Sequence, residues 1–154
     1  MALTTGQIAP VFTLFDADKK ERTLAEFLGK KTVLAFYPGA FTGVCTKEMC
    51  TFRDSLANLA SLNAQVIGIS VDGPFANKAF ATQNNLTFPL LCDYNRTVAP
   101  VYCGVHEDFA GVKGYTASKR AVFVLDEHGV VLYKWISEAQ GVEPIYDEIT
   151  KALA

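Results

Sequence analysis

The chain has 154 residues, half of them hydrophobic, which is enough for one domain (residues 1–154) with a sizeable core and no dependence on disulfide staples. A net charge of -2 and a pI of about 5.6, with no cluster of Lys and Arg, argue against a nucleic-acid or anionic-membrane binder. The opening Met-Ala-Leu-Thr-Thr-Gly-Gln has neither the basic start nor the apolar run of a signal peptide, and no apolar stretch reaches the length of a membrane span. The expected setting is the cytoplasm.

In chain order, residues 12–15 read as a short strand and the polar run 16–22 as a hairpin-like turn. Thr23 with Glu26 has the capping-box spacing and opens a short helix that Gly29 ends. Residues 32–37 are β-branched and aromatic and are stopped by Pro38-Gly39, as a buried strand would be. From Thr46 the apolar residues Met49, Phe52, Leu56 and Leu59 recur every three or four positions, which predicts a helix to about Leu62. A second buried strand covers 65–71, and Asp72-Gly73-Pro74 starts a helix with Phe75, Ala79 and Phe80 on its core face. Residues 88–92 are a short extended piece, and 95–102 a short helix ending near Gly104. The segment 105–118 has no clear period and reads as a loop. Strands at 120–125 and 130–136 form a hairpin, and Glu143-Pro144 opens a last helix with Ile145, Ile149 and Leu153 facing inward. The order predicts an α/β fold, a central mixed β-sheet flanked by helices on both faces.

The stretch 38–50, Pro-Gly-Ala-Phe-Thr-Gly-Val-Cys-Thr-Lys-Glu-Met-Cys, sits between the strand and the long helix. Cys45 extends the helix's apolar stripe backward by one turn. Its sulfur therefore belongs near the positive end of the helix dipole, among N–H groups without intrahelical partners, and this favours thiolate over thiol. Four cysteines in a reducing compartment are not expected to be permanent staples, so the close pair Cys45 and Cys50 is read as metal-binding or redox-active. A metal would need two more donors, yet His106 and His128 are isolated and no second cysteine pair follows, so no metal is expected.

Pro38-x-x-x-Thr42-x-x-Cys45, with this strand before it and this helix after it, resembles the active-site motif of the peroxiredoxins. Glu48, Phe52-Arg53-Asp54, Phe88-Pro89-Leu90-Leu91 and Arg120 at the head of its strand extend the resemblance over most of the chain. The resemblance implies a thioredoxin-like fold and a thiol-dependent peroxidase that needs no metal, haem or flavin. Cys45 would attack the terminal oxygen of hydrogen peroxide or an organic hydroperoxide and become a sulfenic acid. Thr42 and Arg120 would donate to the thiolate and the peroxide, with the backbone N–H groups of Val44 and Cys45 as further donors, and Pro38 would shield the sulfur from water.

The Cys-x4-Cys spacing looks like the bacterioferritin-comigratory, or Q, type, in which the second cysteine resolves the first. The stretch 40–45 looks like the alkyl hydroperoxide reductase E type, which typically has the attacking cysteine only. Cys50 is thus the expected resolver, with Cys92, Cys103 and an external thiol as alternatives. The expected reductant is thioredoxin or a similar thiol, and the family commonly forms homodimers. On an intact helix, residues five apart differ by about 7.5 Å in rise and about 140° in rotation, beyond disulfide reach, so a Cys45–Cys50 bond requires unwinding. Two rivals are a general thiol-disulfide oxidoreductase, disfavoured by threonine at position 42, and a redox-signalling or holdase binding protein. Glu48 reads first as an acid favoured by the helix start and second as a partner that orients an arginine. Arg53 reads as an ion pair with Asp54.

Overall fold

The computed structural model describes residues 3–154. Its elements run β1 (Thr13–Asp16), β2 (Glu21–Thr23), α1 (Leu24–Phe27), β3 (Lys31–Phe36), α2 (Gly43–Asp54), α3 (Leu56–Ser61), β4 (Ala64–Ser70) and α4 (Pro74–Gln83). They continue with β5 (Leu90–Cys92), α5 (Ala99–Tyr102), β6 (Val105–His106), β7 (Ala117–Ser118), β8 (Arg120–Leu125), β9 (Val131–Ser137) and α6 (Tyr146–Leu153). Seven strands form one sheet in the order β2-β1-β5-β4-β3-β8-β9. β3 is an interior strand beside the central β4, parallel to β4 and antiparallel to β8, so the sheet is mixed.

Both faces of this sheet are covered, which is why β3 reads as a continuous apolar run rather than an alternation. Leu34 and Phe36 enter one core with Ile67, Ile69, Phe123 and Leu125, closed by Leu24 and Phe27 of α1 and by Ala99 and Tyr102 of α5. Val33, Ala35 and Tyr37 enter the other, beneath Met49 and Phe52 of α2, Leu59 of α3, Phe80 of α4, and Ile149 and Leu153 of α6. Burial of each such large side chain contributes about 1.5–3 kcal/mol. Gly68 in β4 is needed for the fit: a β-carbon there would lie 2.6 Å from Leu90 Cδ2 and 3.3 Å from Tyr37 Cε1. Among the described residues no helix is long and apolar enough to cross a membrane.

The capping box is present, with Glu26 Oε1 accepting from the Thr23 N–H at 2.8 Å. Four expectations are corrected. The long helix is broken at Ser55, where the backbone N–H is shared between Thr51 O and Phe52 O and the hydroxyl also bonds Thr51 O, tightening the turn. Phe75 and Ala79 lie on the exposed side of α4, and its buried positions are Asn77 and Phe80. The core face holds a polar residue because its partners come from other elements. Ile145 is exposed and precedes α6 instead of packing under it. The segment 105–118 is not all loop: β6 and β7 form a two-stranded ribbon too short to show a period, with Phe109 and Ala117 buried against Val71.

Candidate active site

The ladder of β3 ends where Tyr37 N–H donates to Ile69 O at 2.9 Å, and Pro38, which has no N–H, stops it. The chain then turns through Phe41, a non-glycine residue at φ +67°, whose ring packs edge-on against Phe80 with centroids 5.4 Å apart. Such a backbone costs on the order of 1–3 kcal/mol and persists only where surrounding contacts hold it. Thr42 is the N-cap of α2, and the first helical bond runs from Thr46 N–H to Thr42 O at 2.9 Å. The N–H groups of Gly43, Val44 and Cys45 precede that bond and point out of the helix start.

Cys45 lies in this first turn, as the sequence predicts, and is fully buried. Arg120, the first residue of β8, reaches it from the neighbouring strand: its Nη1 lies 3.2 Å from Cys45 Sγ and 2.7 Å from Glu48 Oε1. Glu48, one turn beyond Cys45, is also fully buried, so its orienting role outweighs its role as a helix-start acid. Thr42 Oγ1 donates to Gly39 O at 2.9 Å and favours the Cys45 thiolate nearby. Its single proton serves one acceptor at a time. Pro38 is buried in the same loop and Val44 is half-buried. Cys50 stands apart from this cluster, half-buried with its thiol 3.6 Å from Asn84 Oδ1. Arg53 pairs with Asp54 at 2.9 Å, as expected, and also donates from Nη1 to Asn84 O at 2.6 Å.

The electrostatics correct one expectation. Burial pushes the Cys45 thiol above the ordinary cysteine range, against the Arg120 charge and the hydrogen bonds from Thr42 and the Gly39 backbone, while the Glu48 carboxylate adds to the rise. The helix-start argument counts only the favourable effects, and closing the pocket outweighs them. Burial likewise lifts Glu48 to about 7, with Arg120 opposing. One guanidinium therefore faces two acids. Glu48 Oε2 and Arg120 Nε are buried without a protein partner, leaving an acceptor and a charged donor inside the pocket.

Cys92 lies buried in β5, accepting from Asn77 Nδ2 at 3.4 Å, and Cys103 is buried after α5 with its thiol pushed up to about 12. Sequence reasoning missed the polar residues under the loop, Ser70, Asp72 and Asn77. The only signal was Asp72-Gly73-Pro74, which reads as turn chemistry.

The AhpC/TSA family profile matches residues 5–134. Peroxiredoxin Q, chloroplastic, of Populus jackii is 40% identical over 148 residues, covering 96% of this chain and 67% of the relative. The crystal structure of peroxidoxin BcpB from Mycobacterium tuberculosis superposes with a TM-score of 0.85 at 34% identity, over 98% of this chain and 96% of that one. PrxQ of Xylella fastidiosa, at 21% identity and a TM-score of 0.86, over 99% of this chain and 96% of that one, shows the shared thioredoxin-like fold. On profile, identity and superposition together, the chain belongs to the AhpC/TSA family and is a peroxiredoxin, a peroxidase that draws on a thiol reductant to reduce hydroperoxides.

Proposed function

We propose that Cys45 is the peroxidatic residue, acting on hydrogen peroxide and organic hydroperoxides in a pocket built by Thr42, Pro38, Val44 and Arg120. The observation that carries this reading is the Arg120 guanidinium 3.2 Å from a fully buried sulfur at a helix start. The Cys45 thiolate attacks the terminal peroxide oxygen, the O–O bond breaks, and the leaving oxygen takes a proton to depart as water or alcohol. Cys45 is left as a sulfenic acid.

Ionisation alone is a minor contribution. An ordinary cysteine with a pKa of about 8.5 is roughly 7% thiolate at pH 7.4, so complete ionisation gains at most about fourteenfold. Here burial works against even that gain. The advantage must lie in the transition state, where negative charge moves from sulfur to the leaving oxygen. Arg120, the Thr42 hydroxyl and the Val44 and Cys45 N–H groups are fixed donors in a dry pocket, where their effect is largest.

For the second step, Cys50 attacks the Cys45 sulfenic acid, a disulfide forms and water leaves. α2 runs unbroken from Gly43 to Asp54, so its first turns must unwind for this bond. Cys50 is half-buried, whereas Cys92 and Cys103 are buried and burial raises both their thiols, which disfavours them as attacking thiolates. A dithiol protein such as thioredoxin then takes both sulfurs back to thiols. The cytoplasm is the compartment adopted, and four free cysteines suit its reducing conditions. The intact α2 favours a second reading, in which an external thiol resolves Cys45 directly. Peroxide consumption with dithiothreitol tests the first step: Cys45→Ser is expected to abolish it, and turnover at the wild-type rate by that variant would refute the assignment.

A further inference from the structure

The loop that carries Thr42 is held from beneath by a directed chain of hydrogen bonds. Tyr37 O–H donates to Asn77 Oδ1 at 2.7 Å, Asn77 Nδ2 donates to Ser70 Oγ at 3.2 Å, and Ser70 O–H donates to Asp72 Oδ2 at 2.8 Å. The same Asp72 oxygen accepts the Ala40 N–H at 2.7 Å. The two ends of the chain, Tyr37 and Ala40, bracket Pro38-Gly39. Gly39 O in turn anchors the Thr42 hydroxyl, and Phe41, between Ala40 and Thr42, holds the left-handed turn.

We propose that Asp72 is a positioning residue for the peroxidase reaction, its carboxylate oxygen fixing the Ala40 N–H and thereby the Gly39 backbone and Thr42 hydroxyl that face Cys45. The inference rests on Cys45 as the peroxidatic residue. Among the described residues no other hydrogen bond joins the loop backbone between Tyr37 and Thr42 to the segment that follows β4, and its conformation is one that an untethered chain avoids. An acceptor is required and a charge is not. Removal of a nearby negative charge would make Cys45 easier to ionise, whereas loss of loop geometry would make it harder, so the two roles predict opposite signs.

The test measures, on the full chain below its melting temperature, the rate at which hydrogen peroxide oxidises the Cys45 peptide and the pH midpoint of Cys45 alkylation by iodoacetamide. Asp72→Ala is expected to slow oxidation about tenfold or more and to raise the alkylation midpoint, since small misplacements of catalytic groups are costly. Asp72→Asn keeps an acceptor oxygen and is expected to retain most of the rate. Wild-type oxidation in Asp72→Ala, a lowered midpoint, or equal slowing in both variants would overturn the proposal. Should Asp72→Ala not fold, Ser70→Ala strips the carboxylate of its orienting O–H; slower oxidation supports the positioning role and a wild-type rate overturns it. Cys45→Ser, run alongside, separates the two levels: peroxide uptake unchanged in that variant would remove the Cys45 assignment itself.

Discussion

Arg120 Nη1 lies 3.2 Å from the sulfur of Cys45, a residue 75 positions earlier in the chain. β3 and β8 are antiparallel neighbours, so the head of β8 lies beside the end of β3, from which the loop leads into α2. One guanidinium nitrogen serves the sulfur and Glu48 together, and the charge behind it is permanent because an arginine stays protonated. Arg120→Met is expected to slow Cys45 oxidation by about 10²–10³-fold, the usual cost of losing a preorganised charge donor. Rapid-quench mass spectrometry of the Cys45 peptide measures this, and a loss below about threefold would contradict the role given to Arg120.

Glu48 competes with Cys45 for that one cation. Its carboxylate adds to the rise of the Cys45 thiol, so Glu48→Gln is expected to move the pH midpoint of Cys45 alkylation downward. An upward or absent shift would mean that Glu48 acts mainly by holding Arg120 in place.

The same carboxyl links stability to pH. Glu48 titrates at about 7 in the folded chain, above its ordinary value of 4.5, so the folded state keeps a proton that the unfolded state gives up between these values. Its contribution is full below about 4.5 and is lost as pH rises through about 7. In urea unfolding, the wild type is expected to lose more stability than Glu48→Gln between pH 5 and pH 7.5. Parallel losses would show that Glu48 does not carry this proton.

Arg53 and Cys50 both contact Asn84, the C-cap of α4, so the C-terminal half of α2 is tied to α4 and unwinding that frees Cys50 must work against these contacts. A hydrogen bond from a charged donor is worth about 1.5–3 kcal/mol, so its loss changes an opening equilibrium by about tenfold or more. Arg53→Met is expected to speed disulfide formation after the sulfenic acid appears, with the first oxidation step unchanged. Equal disulfide rates in stopped-flow quench experiments would show that the Asn84 contact does not restrain unwinding.

Much of this organisation is legible in the residues themselves. β3, β4 and β8 are buried on both faces, so their apolar runs stand out, and Cys45 falls on the inner stripe of a helix whose period is clear. The pairing of Cys45 with Arg120 comes only through the resemblance of Pro38-x-x-x-Thr42-x-x-Cys45 to a known motif, because no local pattern links residues so far apart. Asn77 and Asp72 stay hidden for a related reason. A polar residue on a helix face reads as solvated until Tyr37, Ser70 and Ala40 are brought to it by other strands. The sign of the Cys45 shift is equally invisible, since the helix start is written in the sequence whereas the closure of the pocket over the sulfur depends on packing from the rest of the chain.

The central claim, that Cys45 is oxidised first and Cys50 resolves it, is tested most directly by intact mass after one equivalent of hydrogen peroxide without reductant. The wild type is expected to lose about 2 Da as a disulfide forms, and Cys50→Ser to gain about 16 Da as a sulfenic acid accumulates. Peptide mapping should place both changes on Cys45. A disulfide that persists in Cys50→Ser, or a wild type that gains oxygen without forming any disulfide, would contradict resolution by Cys50. No mass change in either protein, with the peroxide left unconsumed, would contradict the role of Cys45 itself.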